Sequence, residues 1–101
     1  MKTLPVLYSP RASEDIDIIK MYILGISKSI SVTENYLQKL RRFCHVIGLV
    51  PHGGFPYRRL GRGVRGKVFK HNYIVVYRVS DDHVLIDRII SGRRNLRRYR
   101  R

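Results

Sequence analysis

The chain has 101 residues, enough for one small domain with a modest core and too few for a second. Hydrophobic residues make up 44% of it, which excludes a disordered polar chain, and no apolar run reaches the roughly 18 residues that a membrane span needs. Twenty-one Lys and Arg against seven Asp and Glu leave a formal charge of +14, so the expected partner is a polyanion: nucleic acid, an acidic protein segment or an anionic surface.

The charge is polarised. Residues 1–38 hold four basic and four acidic groups, whereas residues 39–101 hold seventeen basic and three acidic ones. Cys44 is the single cysteine, so no internal disulfide forms, and a reducing, cytoplasmic setting is the default. The start, MKTLPVLYSPRASED, reaches acids before any apolar leader, so no secretion signal is expected.

Thr3 to Tyr8 reads as a short strand, held to a sheet edge by Pro5. Ser9-Pro10 then opens a helix, with Ser9 as cap and Pro10 in its first turn. Ala12, Ile16, Ile19, Ile23 and Ile26 repeat at helical spacing and form its apolar face. Glu14, Asp15 and Asp17 lie early, where the helix dipole favours acids. The polar stretch Ser27 to Ser31 ends this helix. Ser31-Val-Thr-Glu34 fits a capping box for a second one. Tyr36, Leu40, Phe43 and Ile47, flanked by Leu37 and Cys44, form its apolar face, with Gly48 as the stop. Two such helices joined by about five residues predict an antiparallel hairpin. Cys44 on the apolar side reads as an inert core thiol.

Val50 to Gly63 is rich in Gly, Pro and Arg and reads as a loop, either a connector or a functional segment. Val64 to Lys70 is a weaker strand in which Gly66 signals a bulge or a close backbone approach, and His71-Asn72 is its turn. Tyr73 to Val79 and Val84 to Ile90 are dense in β-branched and aromatic residues and form a hairpin around Asp81 and Asp82. That register sets Val79 against Val84 and Tyr77 against Ile86. Strict alternation then groups Tyr73, Val75, Tyr77, Val79, Val84, Ile86, Arg88 and Ile90 on one face. Ile74, Val76, Arg78, Leu85, Asp87 and Ile89 take the other, with Arg78 and Asp87 as a candidate ion pair. Six of the last nine residues are arginine; this end is either a solvated tail or a short helix docking Leu96 and Tyr99.

Known chemical signatures are missing. The four histidines and Cys44 lack metal-ligand spacing, Ser91-Gly92 lacks a nucleophile elbow, and the glycines of 53–63 form no nucleotide loop. No metal or cofactor is expected. RNA cleavage needs a base, an acid and cations around the scissile phosphate. Arg65, Lys67, Arg88, Arg93 and Arg94 can supply cations, and Tyr99 or a histidine a proton.

Three stretches resemble the RelE/ParE superfamily of bacterial toxins. They are Tyr8-Ser-Pro-Arg-Ala-Ser-Glu-Asp15, Asn72-Tyr-Ile-Val-Val-Tyr-Arg-Val79 and Ile86-Asp-Arg-Ile-Ile-Ser-Gly-Arg-Arg-Asn-Leu96. They are similar to ParE patterns of the form xSPxAxxDL, NYxIxYRV and IxRVLHGxRDL, in one order over nearly the whole chain. The resemblance implies one α+β domain over 1–101: an N-terminal strand, a two-helix antiparallel hairpin packed on a mostly antiparallel sheet, and a short basic tail or helix. It also implies a toxin silenced by an acidic, ParD-like antitoxin encoded beside it.

ParE-type toxins poison DNA gyrase without chemistry of their own, whereas RelE-type toxins cut mRNA in the ribosomal A site. ParE is favoured because Ile74 stands where RelE-type sites carry a basic residue directly after the tyrosine that opens the third strand, and because the closing motif is nearer to ParE's. Ser91 and Asn95 depart from the usual ParE histidine and aspartate. The expected target-binding residues are Arg88, Ser91, Gly92, Arg93, Arg94 and Tyr99. For a nuclease they would be Arg65, Lys67, Arg94 and Tyr99. A plain nucleic-acid-binding module is the third reading, with direct nucleic-acid contact otherwise secondary and no membrane contact expected.

Overall fold

The computed structural model describes residues 3–91. The elements are β1 (Val6–Tyr8), α1 (Pro10–Ser27), α2 (Ile30–Ile47), β2 (Phe55–Pro56), a 3-10 turn (Arg58–Leu60), β3 (Val64–Phe69), β4 (Tyr73–Val79) and β5 (Val84–Ser91). The five strands make one sheet in the order β1-β5-β4-β3-β2. β1 runs parallel to β5, and every other pairing is antiparallel. The α+β expectation holds. No helix among the described residues is long and apolar enough to cross a membrane.

The helices lie on one face of the sheet. Ala12, Ile16, Ile19 and Ile23 of α1 and Leu37, Leu40, Cys44 and Ile47 of α2 form one core with Phe69, Val75, Tyr77, Val84, Ile86 and Ile89 of the strands. Ser9 caps α1 as its sequence foretells, with its Oγ accepting from the Ala12 N–H at 3.0 Å. The stop is Lys28 in the left-handed region, whose N–H returns to the Leu24 carbonyl. The connection is therefore shorter than the expected five residues. The capping box at Ser31 is also displaced: Ser29 caps α2, taking the Val32 N–H at 3.2 Å, and Ser31 sits inside the helix. Ile26 leaves the predicted apolar face, for it is 64% exposed, one turn beyond the last α1 residue that reaches the core.

The β4–β5 hairpin has the expected register at its tip, Val79 opposite Val84 and Tyr77 opposite Ile86. It then slips. Tyr77 faces Ile86 but Val76 faces Arg88, so Asp87 is an extra residue, a β-bulge. One inserted residue reverses the facing of every later residue in the strand. Ile89 therefore enters the helix-side core, and Ile90 packs on the opposite face with Phe55 and Val68 around buried Tyr57, Val64, Ile74 and Val76. Strict alternation had placed both the other way. The Arg78–Asp87 pair forms as expected, at 3.1 Å.

Val50 to Gly63 is not wholly a loop. Phe55 and Pro56 pair with Gly66 and Arg65 as the sheet's second edge strand. Gly66 is required because a Cβ there would lie 2.9 Å from the Phe55 ring; the close approach is to a side chain. The β3–β4 turn begins one residue earlier than predicted, with Lys70 and His71 both at positive φ.

Candidate functional site

The end of β5 is built by α1. β1 pairs only with Val84 to Ile86, so among the described residues the β5 edge on that side has no strand neighbour beyond Ile86. Groups from the start of α1 take its place. The Ser9 Oγ donates to the Asp87 carbonyl at 2.7 Å, and Asp15 Oδ2 accepts the Ile89 N–H at 2.9 Å. The same carboxylate grips Arg88 in a two-point fork, Nε at 2.9 Å and the terminal nitrogen at 3.2 Å. The hydrogen bond to Asp15 holds the Arg88 guanidinium above its ordinary range. Asp15 is therefore a buried clamp, and its expected part in the helix dipole gives way, since no acid lies in the first turn of α1. Its sequence signal was its position: it falls within the stripe Ala12, Ile16, Ile19, where a charge needs a partner.

Of the residues expected to meet a target, Arg88 is thus bound to Asp15, with its side chain still 29% exposed, and Ser91 is exposed at the strand's end. Gly92, Arg93, Arg94 and Tyr99 lie outside the described residues. Beside Ser91 runs a groove of about 780 Å³ between α1 and the ends of β4 and β5, lined in part by Ile18, Tyr22, Ile26, Tyr73 and Ile90. Ile18, Tyr22 and Ile26 are each more than half exposed, so the groove wall is an apolar surface facing water.

Of the candidate nuclease residues, Arg94 and Tyr99 lie outside the described residues, and Arg65 and Lys67 stand elsewhere. Arg65 and Lys67 sit two apart on β3, opposite Tyr77 and Val75 on the helix-side face. Arg65 donates to the Gly54 carbonyl at 2.8 Å and to that of His52 at 3.3 Å, while the Tyr77 hydroxyl receives the Gly54 N–H at 3.0 Å. Together they pin the loop that leads into β2. The Lys67 ammonium lies 5.7 Å from the centre of the Phe43 ring. Ile74 is fully buried on the opposite face. Cys44 is buried in the core, and burial pushes its thiol up to about 11, as an unreactive thiol requires.

A family model described as the ParE toxin of the type II toxin-antitoxin system parDE matches residues 6–96. The chain belongs to the ParE toxin family. A search of curated proteins gave no match. Among solved structures it is similar to a chain of the chromosomal ParDE system from P. aeruginosa, with 17% identity, a TM-score of 0.63, and coverage of 88% of this chain and 96% of that one. It is also similar to a chain of the E. coli DinJ-YafQ toxin-antitoxin complex, with 16% identity, a TM-score of 0.53, and coverage of 89% and 93%. YafQ from E. coli strain BL21(DE3) matches at 16% identity and a TM-score of 0.51, over 92% and 97%. At these identities the likeness is one of fold.

The ParE-like motifs gain a physical meaning from the structure. The serine and aspartate of the first motif are Ser9 and Asp15, and the first arginine of the third is Arg88. Ser9 holds the Asp87 carbonyl and Asp15 holds Arg88 and the Ile89 N–H, so two motifs more than seventy residues apart interlock. What resembled a recognition sequence is in this part a clasp that fixes the last strand against α1.

Proposed function

We propose that this chain is a toxin that binds DNA gyrase and so blocks replication, and that an acidic antitoxin made beside it keeps it silent. The observation that carries the reading is the match to the ParE toxin family over residues 6–96. The engagement of the cations supports a non-enzymatic action. Arg65 holds loop carbonyls, Lys67 lies against Phe43, and Ile74 is buried where RelE-type sites carry a basic residue. The target contact comprises the end of β5 and the residues C-terminal to it: Ser91, Gly92, Arg93, Arg94 and Tyr99, with Arg88 at its edge. The Asp15 clasp fixes Arg88 and Ile89 of β5, so less order has to be gained there on binding. The antitoxin lays an apolar segment into the groove beside Ile18, Tyr22 and Ile26, and its acidic residues meet the basic half of the chain.

A second reading is a RelE-like, ribosome-dependent mRNA endonuclease. It is favoured by Arg65 and Lys67 standing two apart on one face of β3. One experiment separates the two. After a brief induced pulse in bacteria, DNA and protein synthesis are followed by separate labels. We expect DNA synthesis to stop first, with gyrase-dependent breaks. Protein synthesis stopping first, with cut mRNA, replaces the gyrase reading with the nuclease one. Arg93→Ala with Arg94→Ala is expected to abolish toxicity while folding and antitoxin binding persist; intact toxicity in that variant rejects the proposed contact.

A further inference from the structure

From Asn35 to Ser80 the chain holds ten Lys and Arg and no Asp or Glu. Four of those cations fall in one short segment, Arg58-Arg-Leu-Gly-Arg-Gly-Val-Arg65. The segment is not a loose loop. The Tyr57 N–H bonds the Val64 carbonyl at 2.8 Å, the Gly61 N–H bonds the Arg58 carbonyl at 3.1 Å, and Arg78 donates to the Leu60 carbonyl at 3.1 Å. Gly61 at φ +120° and Gly63 at φ +75° make the reversals that a side chain would strain. Arg58, Arg62 and Arg65 line one open cavity of about 420 Å³. Arg58 and Arg62 are exposed, and no carboxylate among the described residues pairs with either. Like charges held close without a counter-ion repel, so an arriving anion gains from Arg58 and Arg62 together, while Arg65 stays on its loop carbonyls.

We propose that this segment is a binding site for the phosphodiester backbone of a nucleic acid. The guanidinium fork matches phosphate oxygens. The lining suits a backbone better than an acidic peptide. Its apolar members are Pro56 and Val64, and Val64 is only 2% exposed, so a peptide side chain finds no pocket to anchor in. A repeating phosphate chain needs no such anchor, and affinity from phosphates alone is independent of sequence. The site stands apart from the end of β5 and from the apolar groove, and it does not rest on gyrase being the target.

The test is fluorescence anisotropy with the purified full chain over a range of salt concentrations. The probes are a duplex DNA of about 20 base pairs and a single-stranded RNA of equal length, each spanning several of the phosphate contacts that set a salt slope. The variant is Arg58→Gln with Arg62→Gln, whose exposed side chains pair with no carboxylate among the described residues. The control is Arg41→Gln with Arg42→Gln, an equal charge loss on the exposed side of α2. The arginines of 93–101 contribute equally to every protein. Each lost phosphate contact lowers the slope of log K against log salt by about one, so the loop variant is expected to lose about two and the control little. The probe with the larger loss identifies the nucleic acid. Equal losses in loop variant and control overturn the site. So does loop-dependent binding of polyglutamate when neither nucleic acid shows it.

Discussion

The two faces of the sheet are built on different scales. Among the described residues one carries both helices and a core of fifteen buried residues; the other carries four, Tyr57, Val64, Ile74 and Val76, under a short edge strand and a pinned basic segment. Polar fastenings follow the same division. On the helix side Asp15 is almost buried and binds three donors, whereas on the other face Arg78 and Asp87 pair with 47% and 26% of their side chains exposed. The contrast teaches that stability resides with the helices, and that the opposite face is free to display charge at little structural cost.

The largest expected effect tests that division directly. Ile86 and Ile74 are both fully buried isoleucines, one on each face. Ile86→Ala removes a side chain enclosed by strands and helices and should cost about 3–4 kcal/mol; Ile74→Ala, under a thinner layer that can settle, should cost about 2. Urea denaturation of the two variants decides the matter. An Ile74→Ala loss equal to or greater than that of Ile86→Ala breaks the comparison.

Next come the ion pairs. Asp15→Ala leaves the Arg88 guanidinium and the Ile89 N–H without their acceptor and should cost about 2–3 kcal/mol, less than a fully buried pair because Arg88 still reaches water. Asp87→Ala on the other face should cost under about 1 kcal/mol. If chemical denaturation gives the two equal losses, the Asp15 clasp is not what fastens the last strand.

Much of this was legible beforehand. The helices announced themselves through spacing, and the β4–β5 hairpin through its turn, because both signals are local. The bulge at Asp87 was not legible: Asp87-Arg88 has no glycine or other local mark, and the extra residue is stabilised by the Arg78 pair and by Ser9 from across the chain. β2 was hidden because Phe55-Pro56 owes its strand form to pairing with β3. At the candidate site, sequence indicated which cations were available but not which were engaged. Arg65 and Arg88 looked free; their partners, the Gly54 carbonyl and Asp15, are brought up by tertiary structure.

A third prediction uses pH to probe the helix-side core. Cys44 has its pKa raised from 9.0 to about 11, and Tyr8, against it, is raised as well, both chiefly by burial that penalises the anion. Between pH 9 and 11 the unfolded chain therefore releases protons that the folded chain keeps. Stability falls as pH rises through that window, by up to about 1.4 kcal/mol per pH unit for each such group. Cys44→Ala removes one of these groups, and its denaturation midpoint should decline less steeply above pH 9 than that of the parent chain. Equal slopes would mean that the thiol is less enclosed than the core implies.

The smallest effect concerns the opposite face alone. Gly63 has φ +75°, and a Cβ there would meet nothing within 4 Å, so Gly63→Ala introduces backbone strain without a clash. The cost should be about 1 kcal/mol. Its location matters more than its size. If the basic segment is a unit of low local stability, the strain is relieved there, and hydrogen exchange should quicken at the amides of Tyr57 and Gly61, which bond the Val64 and Arg58 carbonyls, while the amides of Leu40 and Cys44 keep their protection in proportion to the small global loss. Faster exchange in α2 with none in the segment would tie the segment to the helix-side core. The two faces would then be one cooperative structure, and charge on the far side would no longer come at little cost.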